Sequence, residues 1–298
     1  MLLNRYFHYD DEKNICLGLD VLQNLRLRTS DASKGNDPFE LIPFYIDKPT
    51  YEEFQERMGD LKYSEDFFKS YKKKYPEIDE SILRNKNFTE IYNQLFSNNS
   101  IADLNGNKKN LRRKFATWIR FISFSSTSVK PENEILMWSH YASYHKGLRV
   151  TFDTSKFDST IFQEYDMAEV NYQAERFKVN ALSVVVQESQ TDEELKKISE
   201  LLTVKSLGWS YEKEYRWLIN LKREPKCWFS GKIDNKDYEF VECPPEAIVS
   251  VDIGCMADME GYLVNEVQHL RKKGELKHIK VNQCNIHAKD FKLDYKQL

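Results

Sequence analysis

The sequence predicts an α+β fold, with a mixed or antiparallel sheet as its body and a helical insertion. Segments rich in β-forming residues recur along the chain without alternating regularly with helices. They span 2–9, 25–29, 121–124, 148–152, 168–172, 215–220, 238–241 and 248–253. Strands grouped in this way, with helices between some of them, are typical of α+β folds and not of strictly alternating parallel ones.

Helical signals separate some of these strands. In the first, Ile15, Leu19 and Leu22 follow the i, i+4, i+7 spacing of one helix face. The segment GNDPFE then predicts a loop, because Gly, Asn, Asp and Pro favour turns. The predicted helices outside the insertion span 14–24, 132–145, 191–206 and 259–273.

The stretch from 44 to 117 has a different composition, dominated by Lys, Glu, Tyr and Phe. Its apolar residues recur at helical spacing, and Gly occurs only at 59 and 106. We therefore expect one α+β domain over 1–298, with residues 44–117 as an insertion of three or four helices. The apolar positions are Ile78, Ile82, Ile91 and Leu95.

Composition narrows the class of protein. With 41% hydrophobic and 13% aromatic residues, the 298-residue chain is too apolar to be disordered. The 44 basic residues nearly balance the 47 acidic ones, so net charge predicts neither a nucleic-acid nor a membrane partner. No apolar run approaches about 18 residues, which excludes a membrane-spanning helix. Charged residues follow the first methionine too closely to leave room for the apolar segment of a secretory signal peptide. We therefore expect a cytoplasmic protein.

The cysteines and histidines predict neither a disulfide framework nor a metal site. The five cysteines are odd in number and lack a C-x-x-C spacing, so we expect them to be reduced and structural. His140 and His145 are five residues apart, about 140° around a helix, and do not converge on one ion. The chain also lacks the common dinucleotide, phosphate-loop, metalloprotease and hydrolase motifs.

The first segment with chemical potential is FISFSSTSVK, residues 121–130. An alternating strand runs into consecutive hydroxyl side chains, which can donate to a ligand or position a carboxylate. The alternative is a strand end and the N-cap of the following helix, where Ser and Thr are common. The hydroxyl residues are Ser125, Ser126, Thr127 and Ser128.

The second segment is MWSHYASYHKG, residues 137–147. Trp138, Tyr141 and His145 fall at i, i+3 and i+7 on one predicted helix face. An aromatic face with an imidazole can stack a planar ligand such as nicotinamide or adenine, or it can be core packing. Gly147 fits the C-cap of this helix.

The third segment is WSYEKEYRW, residues 209–217. Glu212 and Glu214 alternate along a predicted strand, so both carboxylates point to the same face, and we place Arg216 on the opposite face. Like charges side by side are unfavourable unless a substrate or partner uses them. The alternative is a solvent-exposed edge strand.

A basic stretch precedes the second group of strands. It predicts either a phosphate-contacting patch for a nucleic acid or one solvated helix face. Its residues are Lys108, Lys109, Arg112, Arg113, Lys114 and Arg120.

In the order of these segments, the chain resembles a bacterial family, the domain of unknown function 2971. The resemblance rests on RYFHY, NDPFE, the strand SFS, MWSHYASYHKGLRVTFD and W-x-x-E-x-E-Y-R, and it spans most of the chain apart from the insertion. The blocks WSHYA-x-x-H-KG and E-x-E-Y-R are its most specific parts.

More distantly, the chain resembles arginine–serine–glutamate ADP-ribosyltransferases. Those enzymes carry an Arg on an early strand, a Ser-Thr-Ser motif on a later strand and a Glu-x-Glu motif, in the order of Arg5, residues 126–128 and residues 212–214 here. The resemblance implies an ADP-ribosyltransferase-like fold and a transferase or glycohydrolase that consumes NAD and needs no metal. A bacterial toxin or phage-defence effector would have such an activity.

The same resemblance implies roles for individual residues. Glu214 would stabilise the oxocarbenium-like cation, Glu212 would activate the acceptor, and Ser126 would orient Glu214. The cofactor would be bound by Arg5, with Tyr6 or His8 as alternatives at that position, and by Ser128, Trp138, Tyr141 and His145. The alternatives are a nucleic-acid-directed protein that uses the basic stretch, and a non-catalytic interaction module.

Overall fold

The computed structural model describes residues 1–31, 37–40, 42, 44–48, 50–60, 88–93, 119–157, 167–180, 200–221, 228–272 and 274–298. The chain divides into two compact units. The larger comprises Met1–Asn36, Phe115–Tyr172 and Lys205–Leu298, and the smaller comprises Asp37–Lys114 and Gln173–Val204. Most of the predicted insertion, and most of the predicted helix 191–206, lie outside the described residues.

The larger unit is built on a nine-stranded sheet. Strands β16 (Ile248–Ile253) and β17 (Lys280–Ile286) are parallel, and the other described strand pairs of this sheet are antiparallel. The prediction of an α+β fold with a mixed sheet is therefore confirmed. In spatial order the strands are β18 (Leu293–Gln297), β17 (Lys280–Ile286), β16 (Ile248–Ile253), β8 (Leu148–Asp153), β1 (Leu2–Phe7), β7 (Ile119–Ser126), β13 (Glu214–Asn220) and β9 (Met167–Glu169), with β5 (Ser30–Asp31) also paired to β7.

Shorter elements complete this unit. A three-stranded sheet contains β14 (Trp228–Ile233), β15 (Lys236–Glu242) and β4 (Arg26–Arg28), and β2 (Tyr9–Asp10) pairs with β3 (Ile15–Cys16). Strands β10 (Asn171–Gln173) and β12 (Val204–Ser206) form a further pair. The 3-10 helices are Thr154–Lys156, Leu207–Glu212, Pro245–Ala247 and Gly274–Leu276.

The helices are numbered α1 to α5 in chain order. In the smaller unit, the ring of Phe54 on α2 (Tyr51–Asp60) packs against Tyr92 on α3 (Phe88–Tyr92), and β6 (Phe44–Asp47) pairs in parallel with β11 (Lys178–Asn180). No helix among the described residues is long and apolar enough to cross a membrane. The helices are α1 (Leu17–Asn24), α2 (Tyr51–Asp60), α3 (Phe88–Tyr92), α4 (Pro131–Tyr141) and α5 (Tyr262–Lys272).

The two faces of the large sheet differ in polarity because successive side chains of a strand alternate between them. On β1, Leu3 and Phe7 face the main hydrophobic core, which also contains apolar residues of α1 and α5. Tyr6 faces the other way and packs with Met137 and Trp138 of α4. The sheet thus has an apolar face under α1 and α5, and a second face under α4.

Four of the five cysteines lie within the described residues and are free thiols, with three of them buried. Cys227 lies outside the described residues. The free thiols are Cys16, Cys243, Cys255 and Cys284.

Helix α4 ends four residues earlier than predicted. It ends at Tyr141, and Ser143, Tyr144 and His145 follow with left-handed φ angles of 50°, 52° and 69°. The predicted face that joined Trp138 to His145 across one helix is therefore wrong, because the backbone reverses its helical sense between them. Gly147 lies beyond this turn, where an added Cβ would stand 2.1 Å from the carbonyl oxygen of Phe7.

We predict that Gly147→Ala lowers the free energy of unfolding by about 1–3 kcal/mol, because the new methyl group would displace backbone atoms in a packed crossing. Gly208→Ala is the matched control, since its Cβ would meet only the Ser206 hydroxyl at 3.9 Å. It should change stability by less than about 0.5 kcal/mol. Urea unfolding followed by circular dichroism measures both, and equal stabilities would contradict the close approach at Gly147.

Candidate functional site

A row of buried polar side chains crosses the face of the sheet that α4 covers. The strand register places Asn4 opposite Ser125 and Thr151, and places Ser125 opposite Glu214, so these side chains share one face. All four are buried. Thr151 donates a 2.9 Å hydrogen bond to the Asn4 side chain, and Ser125 donates to the Asn4 carbonyl at 3.4 Å.

Glu214 lies at the centre of a charged cluster at the β13 end of this row. Its carboxylate accepts from Arg216 Nε at 2.8 Å and Arg216 Nη2 at 3.1 Å, which makes a bidentate pair. The ammonium of Lys205 donates to it at 3.2 Å, and Ser123 on β7 also hydrogen-bonds to it. Arg216 and Lys205 are themselves buried. The described partners of Glu214 thus supply two buried cations.

Glu212 reaches the same cluster from the 3-10 helix that precedes β13. Lys213 separates the two glutamates with a left-handed φ of 47°, which turns the chain from the helix into the strand. Glu212 accepts from Lys205 at 2.6 Å through one oxygen and from the Tyr141 hydroxyl of α4 through the other. Lys205 therefore bridges the two carboxylates.

The pKa values of the two carboxylates are shifted in opposite directions from the usual value of a glutamate. Burial raises the pKa of Glu212 above its usual value, an effect that Lys205 opposes and the charge of Glu214 reinforces. Burial alone would also raise the pKa of Glu214, but the charges of Arg216 and Lys205 outweigh it and lower that pKa to about 2. Glu214 is thus a fixed negative charge, while Glu212 is the carboxylate of the pair that more readily takes up a proton.

Half-buried aromatic rings lie around Lys205 and Glu212. The Trp209 ring centroid is 4.9 Å from the Lys205 ammonium and 6.2 Å from the Tyr211 ring. The Tyr211 hydroxyl is 2.8 Å from Nδ1 of the exposed His140. With Tyr141, these residues form an aromatic rim next to the charged cluster.

A second charged cluster fixes α4 to the sheet. Arg149 on β8 donates to Asp252 on β16 at 2.8 Å and also binds Glu134 of α4. Tyr295 of β18 donates to Glu134 at 2.7 Å and receives a 3.2 Å hydrogen bond from the indole of Trp138. Glu134 and Tyr141 thus attach the two ends of α4 to different charged clusters.

Three predictions about the Glu-x-Glu motif need correction. Arg216 does not lie on the opposite face from Glu214, because residues two apart in a strand point to the same side and these two form an ion pair. Glu212 is not part of the strand, since β13 begins at Glu214. The alternative of a solvent-exposed edge strand is also wrong, because both carboxylates are buried.

The Ser-Thr-Ser motif is adjacent to the glutamates but does not contact them through Ser126. The backbone N–H of Ser126 donates to the Lys213 carbonyl at 2.9 Å, which places the two motifs side by side. Its hydroxyl lies 2.7 Å from that of Ser128, at an exposed turn. The hydroxyl that bonds to Glu214 belongs to Ser123. Ser123 lies two residues before Ser125, the β7 residue that pairs with Glu214, and on the same face of the sheet.

The structure does not bring Arg5 together with Glu214. Arg5 alternates with Asn4 on β1 and therefore points to the apolar face, where its guanidinium lies 5.5 Å from the Phe7 ring and donates to the Arg28 carbonyl at 3.1 Å. Burial and the charge of Arg28 lower the pKa of Arg5 to about 10. Arg5 and Glu214 thus cannot line one pocket on the same face.

The other predicted cofactor-binding residues are dispersed. Trp138 is fully buried, contacting Tyr6 edge-on at 5.3 Å and His145 face-to-face at 6.4 Å, so the alternative of core packing describes it. His8 is 2.7 Å from the Ser143 hydroxyl, away from the glutamates. Tyr141 alone among the predicted ring-stacking residues contacts the charged cluster around Glu212 and Glu214.

The basic stretch is described only at Arg120, whose guanidinium pairs with Glu239. Lys108, Lys109, Arg112, Arg113 and Lys114 lie outside the described residues.

Sequence reasoning missed Lys205, Ser123 and Tyr172. The Tyr172 hydroxyl accepts from the backbone N–H of Glu214 at 2.8 Å. Lys205 carried no motif, and only its place just before the Glu-x-Glu block was available as a signal. The signal for Ser123 is its polar position in the alternating strand FISFS, on the face opposite Ile122 and Phe124.

The fold and site define an α+β protein in which a buried Glu–Lys–Glu–Arg cluster lies beneath a short helix. Residues 137–217 match the family model described as Protein of unknown function (DUF2971). This match confirms, over that segment, the family resemblance predicted from the sequence. The segment contains Tyr141, Lys205, both glutamates and Arg216. No curated protein and no solved structure matched the chain.

We predict that Glu214→Gln destabilises the fold much more than Glu212→Gln. Loss of the Glu214 charge leaves Arg216 and Lys205 buried with too little compensation, which costs about 3–5 kcal/mol for a broken buried pair. Glutamine at 212 removes the carboxylate whose pKa burial raises, and Lys205 keeps Glu214 as a partner. Urea unfolding at pH 7 measures the two variants, and equal losses would contradict the different roles of the carboxylates.

Acid should remove the contribution of Glu214 to stability. Its folded pKa of about 2 lies below the ordinary value of 4.5, so its contribution is complete above pH 4.5 and is lost as pH falls towards 2. The difference in unfolding free energy between the wild type and Glu214→Gln should therefore shrink over this interval. Urea titrations at several pH values measure it, and a constant difference would contradict the lowered pKa.

Proposed function

We propose that the protein is an NAD-consuming, ADP-ribosyltransferase-like enzyme, either a transferase or a glycohydrolase. The observation that carries the proposal is the pair of buried carboxylates, Glu212 and Glu214, whose pKa values are shifted in opposite directions around one lysine. Paired carboxylates with separated pKa values are the usual equipment for cleaving glycosidic bonds. The bond cleaved would join nicotinamide to ribose.

In this reaction the bond between ribose C1′ and the nicotinamide nitrogen breaks, and its electron pair leaves with neutral nicotinamide. The positive charge passes to the ribose ring as an oxocarbenium-like cation. The ionised carboxylate of Glu212 stabilises that cation and then takes the proton of the attacking water or acceptor hydroxyl. Its raised pKa suits a group that must hold and release a proton.

Glu214 has a different part in the proposal. Its carboxylate forms ion pairs with Arg216 and Lys205. Glu214 therefore holds Lys205 beside Glu212 and keeps the electrostatic field at Glu212 constant. The Tyr141 hydroxyl, which hydrogen-bonds to Glu212, orients that carboxylate. Both residues therefore position Glu212 for its reaction with the substrate.

The aromatic rim supports a substrate with planar rings. Trp209, Tyr211 and Tyr141 are half-buried, so each ring keeps a surface on which a nicotinamide or adenine ring can stack. These rings take the place that the sequence assigned to Trp138, whose indole is enclosed by the core.

Incubation of the full-length protein with NAD tests the proposal, with nicotinamide release followed by chromatography and NAD binding by calorimetry. The wild type should bind NAD and release nicotinamide. Glu212→Gln should lower the release rate by about 100-fold or more, because the proton acceptor is lost. Tyr141→Phe should lower it less, since the carboxylate remains but loses its orienting hydrogen bond.

Glu132→Gln is the matched control, because Glu132 is an exposed carboxylate on the same helix as Tyr141. It should retain wild-type turnover. Folded Glu212→Gln protein with undiminished turnover would contradict the role of Glu212. A wild type that neither binds nor cleaves NAD would contradict the proposal and favour a nucleic-acid-directed protein or a non-catalytic module.

A further inference from the structure

Two of the free thiols lie next to one another at the end of the β16–β17 pair. Cys255 and Cys284 both belong to the apolar cluster beneath α4, together with Trp138 and Tyr295. A side-chain hydrogen bond joins the two sulfur atoms. We call Cys255 and Cys284 the thiol pair.

The strand register accounts for this proximity. Strands β16 and β17 are parallel, and their described pairing ends with Ile253 opposite Gln283. One residue further along this register Gly254 stands opposite Cys284, and Cys255 follows Gly254 in the chain. Neighbouring strands are about 4.8 Å apart and rise about 3.3 Å per residue, so an offset of one residue separates two Cα atoms by about 6 Å. That separation lies within the range of about 4.4–6.8 Å that a disulfide spans.

The two thiols differ in their access to solvent. Cys284 is fully buried on β17, whereas Cys255 is half-buried in the turn after β16. A small oxidant therefore reaches Cys255 first, and Cys284 is held where it can react with the oxidised sulfur. An accessible thiol beside a second one is the usual arrangement of redox-sensitive cysteines.

The other two described cysteines lack this arrangement. Cys16 precedes α1 and Cys243 follows β15, and both are buried in the main hydrophobic core. Among the described residues, the groups that shift their pKa values include no second thiol. They are therefore internal controls for the thiol pair.

We propose that the thiol pair is a site of reversible oxidation, at which a peroxide converts Cys255 and Cys284 into a disulfide. The Cys255 thiolate attacks one oxygen of hydrogen peroxide and becomes a sulfenic acid, and the released hydroxide leaves as water with the proton of the thiol. The Cys284 thiol then attacks the sulfur of the sulfenic acid, so that the S–S bond forms and the hydroxyl group and the proton of Cys284 leave as a second water. Two thiols thus give up two electrons, which reduce one peroxide to two waters.

The surroundings of the two thiols set the pH dependence of this reaction. Burial raises the pKa of both, that of Cys284 to about 12, while the hydrogen bond from Cys284 opposes the effect at Cys255. Around Cys284, a hydrogen bond with Tyr295 and the charge of Arg149 favour the thiolate, and the charge of Glu134 disfavours it. Because the thiolate is the reacting form, the rate of oxidation should rise with pH up to and beyond the usual thiol pKa of 9.

The disulfide has a consequence for stability. It closes a loop of about 30 residues that contains α5 (Tyr262–Lys272). Closing such a loop restricts the unfolded chain, so the oxidised protein should unfold at a higher urea concentration than the reduced protein.

Peroxide treatment of the folded, full-length chain tests the proposal. The remaining thiols are alkylated after unfolding in urea, and peptides are mapped by mass spectrometry, with cleavage after Glu246 to separate Cys243 from Cys255. The wild type should yield a Cys255–Cys284 peptide pair that dithiothreitol separates, whereas Cys16 and Cys243 should be alkylated. A wild type in which both members of the thiol pair remain free, or in which Cys255 pairs equally with Cys16 or Cys243, would overturn the proposal.

Two variants separate the steps. In Cys284→Ser, the sulfenic acid at Cys255 should persist and react with dimedone, because the second thiol is missing. In Cys255→Ser, Cys284 should remain alkylatable after the same treatment, and peroxide should leave the urea midpoint unchanged. Circular dichroism verifies that both variants are folded. A Cys255→Ser variant in which Cys284 is oxidised as fast as in the wild type would contradict the order of the two steps, and a wild type that stops at the sulfenic acid would overturn the disulfide.

Discussion

The burial of Glu214 between Arg216 and Lys205 constrains most of the larger unit. Removing three charged groups from water is favourable only if all of them meet in good geometry. Arg216 follows from the alternation of β13, but Lys205 belongs to an earlier segment and must be brought to the start of that strand. The pairing of Glu214 with Ser125 sets the register of β13 on β7, and with it the line of polar residues that continues through Asn4 to Thr151.

A sheet with such a polar face needs a cover that both excludes water and satisfies hydrogen bonds. Helix α4 does this with Trp138 and Met137 in apolar contact, and with Glu134 and Tyr141 in polar contact at its two ends. The helix is thereby attached to Arg149 on one side and to Glu212 on the other. A displacement of α4 would expose Glu212 and break the ion pair of Arg149 together, so the two clusters depend on a common helix.

The same helix connects the charged cluster with the end of the sheet. After Tyr141 the chain passes through the left-handed residues 143–145, where Tyr144 is exposed and His145 returns to stack on Trp138. The carbonyl of His145 then accepts from Met256, and Gly147 accepts from Gly254, so the turn is built into the β8–β16 end of the sheet. The close approaches at Gly147 and Gly254 leave no room for a Cβ there.

The sequence by itself determined the fold class, six of the nine strands of the large sheet, and the hydroxyl and Glu-x-Glu segments, because these depend on local alternation and composition. Alternation along a strand also places Glu214 and Arg216 on one face, so the prediction that put Arg216 on the opposite face was wrong on local grounds alone. The sequence did not determine that Lys205 would bridge the glutamates, that Arg5 would lie on the opposite face of the sheet, or that the helix would end at Tyr141. Those depend on which strands become neighbours and on packing between residues far apart in the chain, and tertiary structure alone decides such contacts.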